Sequence, residues 1–137
     1  MGTWGVGVYD NDGAADWAAE VPSGGLRAIE RAIDAVLASE YVDSYDAECA
    51  LVAADVVARL VSGRGEDSPY CEEIVAWVST QPGLPSAELV TKAVRAVQRI
   101  GGEESELAEL WSENAAAVPA WRATLADVAQ RLSAKLP

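Results

Sequence analysis

The sequence contains no histidine, only two cysteines, lysine only at Lys92 and Lys135, and no long apolar run. Without imidazole, no side chain titrates near neutrality unless burial or a neighbour shifts it, which excludes Ser-His and Cys-His nucleophile pairs within the chain. Cys49 and Cys71 lack CxxC spacing and cannot complete a four-ligand zinc site alone, so free thiols are expected rather than a metal centre or a disulfide scaffold. The N-terminus shows no basic start leading into an apolar segment, and no stretch approaches the roughly 18 apolar residues of a membrane span. A soluble cytoplasmic protein is expected, with no membrane partner. Basic residues are also few: 10 against 22 acidic ones, for a formal net charge of -12. Clustered Lys and Arg, which neutralise phosphates, are missing, so direct nucleic-acid binding is not expected and a basic protein is the natural partner.

What is present is helical. The length of 137 residues suits one domain, residues 1–137, with a core of its own. Alanine makes up about a fifth of the chain, which favours closely packed helices over a large apolar area per residue. Apolar residues recur at helical spacing and no segment alternates as a half-buried strand does. The expectation is all-α: a compact bundle of six or seven helices with an irregular or extended Gly-rich N-terminal arm over about 1–12.

Helix boundaries follow from caps and breakers. Ser23 is a candidate N-cap for a helix burying Leu26, Ile29, Ile33, Val36 and Leu37. A central Ala-rich helix starts at Asp43 or Ser44, carries Ala47, Ala50, Leu51, Ala54, Ala58 and Val61, and ends at Gly63 as a left-handed cap. Ser68-Pro69 opens a helix with Ile74, Val75, Trp77 and Val78 inward, up to Pro82-Gly83. Pro85 opens another, with Leu89, Val90, Ala93, Val94, Val97 and Ile100, ended by Gly101-Gly102. A short acidic helix places Leu107, Leu110 and Trp111 on one side. The last helix begins near Pro119 and buries Trp121, Leu125, Val128, Leu132 and Leu136. A short helix is also expected from about Gly13 to Glu20. Asp55 with Arg59, Glu88 with Lys92 and Asp127 with Arg131 sit four residues apart as supporting ion pairs.

The acidic motifs do not spell out a metal site. Aligning Asp10-Asn11-Asp12-Gly13 on a calcium loop puts Val8 and Ala19 where the first and last ligands belong. Asn11 and Asp12 are better read as caps for the following helix, with Asp16 near its positive end. Glu48 joined to Asp10, Asp12 or Asp16 would imitate a carboxylate-bridged metal pair, but the Glu-x-x-His element of such bundles is missing. Cys71 opens a helix among Glu66, Asp67, Glu72 and Glu73, which disfavour a thiolate. Gly2, Gly5 and Gly7 make no phosphate cradle. No catalytic residue, metal ligand or cofactor is assigned.

The run Met1-Gly2-Thr3-Trp4-Gly5-Val6-Gly7-Val8-Tyr9-Asp10-Asn11-Asp12-Gly13-Ala14-Ala15-Asp16-Trp17, together with Ser105-Glu106-Leu107-Ala108-Glu109-Leu110-Trp111, resembles a bacterial family known as domain of unknown function 4259. Tyr9 departs from the phenylalanine usual there. The resemblance implies a helical bacterial domain and brings no activity, substrate or catalytic residue. It focuses attention on two acidic-aromatic segments. Trp4, Asp10, Asn11, Asp12, Asp16 and Trp17 are expected to form a binding surface with Glu106, Glu109 and Trp111, or else to seal the N-terminal segment onto the bundle. The function expected is a non-catalytic protein-binding module facing a basic partner. An immunity protein or inhibitor of a basic toxin or nuclease is one alternative, and a carboxylate-metal enzyme is another. Homo-oligomerisation is left open.

Overall fold

A computed structural model describes residues 3–134. Seven α-helices follow one another: α1 (Asp12–Ala18), α2 (Val21–Ala38), α3 (Ser44–Ser62), α4 (Glu72–Ser79), α5 (Ala87–Ile100), α6 (Glu106–Ser112) and α7 (Val118–Leu132), with a 3-10 turn, Pro69–Cys71, before α4. Extended pairing among the described residues is confined to two isolated bridges, Thr3 with Asn11 and Val42 with Ser105. The fold is the expected all-α bundle.

Helix α3 is the axis, touching every other helix. Its Ala47, Cys49, Ala50, Leu51, Val52, Ala53, Ala54, Val56, Val57, Ala58 and Val61 are all buried, so it is enclosed on all sides and not merely along one stripe. The small side chains make that enclosure feasible, because interaxial distance is set by what lies at the contact. Both ends are fixed as the sequence implies. The Asp43 carboxylate accepts from the Asp46 N–H at 2.7 Å, and Gly63 takes the left-handed conformation at φ 76°.

Other boundaries differ from the sequence expectation. Helix α2 starts at Val21 and not after Ser23, because Pro22 is tolerated in a first turn; the kink at Gly25 (φ 58°) then re-aims the chain. Leu26, expected inside, is half exposed beyond that kink, as are Val75 and Leu110 on the short helices α4 and α6. Helix α4 ends at Ser79, ahead of Pro82. Leu136 and the first two residues lie outside the described region. Over residues 3–11 the Gly-rich start is a closed loop and not a free arm: the Trp4 N–H donates to the Asp10 carbonyl at 2.9 Å, and Val8 and Tyr9 are driven into the core. The chain between α2 and α3 is strapped to the entrance of α6, where the Val42 N–H donates to Glu104 and its carbonyl accepts from the Glu106 N–H, each at 2.9 Å. Among the described residues no helix is long and apolar enough to cross a membrane.

Candidate functional site

With the starts of α1 and α6 each strapped by an isolated bridge, a cleft lies between the two helices, with the first turns of α3 as its third wall. Its volume is about 520 Å³, within the range of roughly 300–1,000 Å³ typical of ligand pockets. Leu107 and Trp111 of α6 supply apolar lining, Asp12 and Asp16 of α1 and Glu48 of α3 supply carboxylates, and Ser44, Tyr45 and Asn114 add polar groups. Among the described residues no Lys or Arg lines it. Tyr45 and Leu110, about half exposed, flank it with apolar surface. Trp111 is not free to swing, because its ring stacks on that of Trp121 with centroids 6.2 Å apart.

Glu48 is the group most altered by this setting. Burial, then the neighbouring Asp12 and Glu106, push its carboxyl up to about 7. Its oxygen lies where a Cβ of Gly13 would stand, so the glycine at the start of α1 makes room for the carboxyl. Perturbed carboxyls in clefts are a mark of functional positions. Across α3 from the cleft, burial pushes the Cys49 thiol up to about 11, which makes it a poor nucleophile. Both cysteines are buried and free. Among the described residues no group of three or more Cys, Asp or Glu is arranged to hold a metal ion.

The nine residues singled out from the two motifs part ways. Asp12, Asp16 and Trp111 meet at the cleft. Glu106 instead accepts from the Ser44 N–H at 2.7 Å, satisfying an orphan donor at the start of α3, and Glu109 accepts from the Tyr41 hydroxyl. That bond, before burial and other acidic neighbours, pushes the phenol of Tyr41 up to about 12. Asn11 caps α1 by accepting from the Ala14 N–H at 2.7 Å, and Asp10 folds back to accept from the Gly7 N–H at 3.1 Å. Trp4 packs on Tyr70 with centroids 5.4 Å apart, away from the cleft. Trp17 lines a separate groove with Arg31, Tyr45 and Cys49. Glu48 and Tyr45 complete the cleft. The grouping of Glu48 with Asp12 and Asp16 was visible in the sequence as a candidate carboxylate cluster, whereas Tyr45 was not singled out because only the packing of α1 on α3 brings it beside them.

A family model described as a domain of unknown function (DUF4259) matches residues 2–124, a span that contains both motifs. The chain belongs to this family. No curated protein and no solved structure matches it.

The DUF4259 chain also carries a buried ionic cluster. Asp55 of α3 is fully buried, and the Arg131 guanidinium of α7 donates to its Oδ1 at 2.5 Å while Arg59 Nε donates to Oδ2 at 2.8 Å. The Tyr9 hydroxyl donates to the same Oδ2 at 2.5 Å, which places a third donor on this carboxylate. Burial and then Asp55 hold that phenol well above its usual range. Arg59 goes on to the Glu66 carbonyl at 2.8 Å and Arg131 to Asp127 and the Arg64 carbonyl at 2.9 and 3.0 Å. Desolvation alone would lower both guanidinium pKa values, and Asp55 outweighs it. Two of the three pairs of four-residue spacing, Asp55 with Arg59 and Asp127 with Arg131, are therefore one network joining the N-terminal loop, α3 and α7, whereas Lys92 pairs with Glu30 and Asp34 of α2 and not with Glu88. Periodicity showed the pairs but not that α3 is enclosed on every side.

Proposed function

We propose that this DUF4259 protein is a non-catalytic protein-binding module whose acidic face engages a basic partner. The observation that carries this reading is the cleft with Asp12, Asp16 and Glu48 on its walls, no cation among its lining residues, and half-exposed Tyr45 and Leu110 beside it. Aromatic and aliphatic anchors around a desolvated pocket are the usual form of an interface hot spot. The net charge of -12 would speed encounter with a basic surface and make that encounter sensitive to salt.

The test is capture from cells that express the protein, at low salt, with three baits: the wild type, Asp16→Lys, and Glu73→Lys as an exposed acidic control away from the cleft. The reading requires a basic protein that is released at high salt, lost with Asp16→Lys, and kept with Glu73→Lys. Equal capture by both variants would reduce the effect to net charge and reject the cleft as the interface.

A further inference from the structure

The cleft also specifies what the partner presents. Resting on the protein-binding reading above, we propose that it receives a single arginine side chain, with the guanidinium between the α1 carboxylates and Glu48 and the stem along Leu107 and Trp111. Two features favour arginine over lysine, and a third disfavours an anion. Carboxylates approach from two different helices, Asp12 and Asp16 from α1 and Glu48 from α3, and a planar group with five fixed donors can serve both sides where an ammonium is a point charge. The indole of Trp111 is held by its stacking on Trp121, a rigid face of the kind on which guanidinium groups pack. Among the described residues no Lys or Arg lines the cleft, so its described walls repel an anionic ligand.

Glu48 makes this recognition depend on pH. The charged groups acting on it are Asp12 on α1 and Glu106 on α6, with Asp16 and Tyr45 also on the cleft wall, none of them cationic. With its carboxyl raised to about 7, it is mostly protonated at pH 6 and mostly ionised at pH 8. Arginine keeps its charge throughout, so any change with pH belongs to the protein. If only the ionised form is competent, affinity scales with its population and rises about tenfold between those two values.

The probe is a capped Gly-Arg-Gly peptide, compared with its citrulline and lysine counterparts, titrated into the full chain and followed by the Trp111 indole N–H and the Gly13 and Ser44 amides in two-dimensional NMR. The expected result is a response at those three positions, at least fivefold tighter for arginine than for lysine, and lost with citrulline. It strengthens about tenfold from pH 6 to pH 8. Glu48→Gln is expected to fold and to abolish the pH dependence, while Asp16→Asn weakens binding at both pH values. Equal binding of arginine and citrulline, parity with lysine, responses elsewhere, or a wild type indifferent to pH would each overturn the proposal. Any of those results alongside cleft-dependent capture of a basic protein sinks this inference alone. Loss of that capture with arginine selectivity intact sinks the protein-binding reading.

Discussion

Glu48 is held at a cost to stability that its environment makes measurable. Its carboxyl goes from about 4.5 in an unconstrained chain to about 7 here, so between those values the folded protein keeps a proton that the unfolded chain has released. Stability is therefore full below 4.5 and falls as pH rises towards 7. Because the side chain is about half exposed, solvent screening reduces the loss to about 1–2 kcal/mol. Glu48→Gln is expected to be more stable than the wild type by that amount at pH 8 and equal to it at pH 4, read from urea unfolding at each pH. Asp55 presents the opposite case. Asp55→Ala leaves two buried guanidinium groups without their carboxylate and should cost about 3–5 kcal/mol. Tyr9→Phe removes one donor but leaves Asp55 with both arginines, so its cost should be about 1 kcal/mol, and thermal or chemical melts of the two variants should differ accordingly.

At the scale of elements, short helices depend on their first turns. Ser105 is fully buried, and its hydroxyl caps α6 by accepting from the Ala108 N–H at 3.3 Å, so Ser105→Ala should lose about 1 kcal/mol. Glu106→Ala removes the cap that α6 supplies to α3. It should therefore shift the Ser44 amide resonance and speed its hydrogen exchange more than that of residues in the middle of α3. Some caps of this local kind were legible in the sequence, with Asn11 and Asp43 at helix starts and Gly63 at a helix end, whereas Ser86 and Ser105 were not singled out. What was not legible depended on tertiary placement. Proline at the second position of α2 reads equally well as a breaker or a starter, and only the positive φ of Gly25 shows where the chain turns. In α4 and α6, two turns are too short for periodicity to separate a fully buried position from a rim, which is why Val75 and Leu110 are half exposed.

On the scale of the whole molecule, a net charge of -12 works against compaction through self-repulsion, which dissolved ions screen. Raising sodium chloride from low to physiological strength should increase the melting temperature, and a denaturation series in salt checks it; a flat or falling curve would show that local ion pairs such as Lys92 with Glu30 and Asp34 outweigh the global term. The candidate site was half legible for the same reason that the global charge was. Composition and motif order pointed to Asp12, Asp16 and Trp111. The grouping of Glu48 with the α1 aspartates was read as well, but nothing in the sequence carries the crossing of α1 over α3 that adds Tyr45, or the exclusion of solvent that turns two helical ion pairs into one cluster around Asp55.

That cluster draws on positions 9, 55, 59 and 131, nearly the full span of the polypeptide. On the ribosome, Arg59 can match the charge of Asp55 as α3 forms, but the second guanidinium on that carboxylate arrives only with α7. Native packing of the central helix should therefore be reached only once α7 has emerged, with nascent chains stalled before α7 remaining open to proteases that spare chains carrying it.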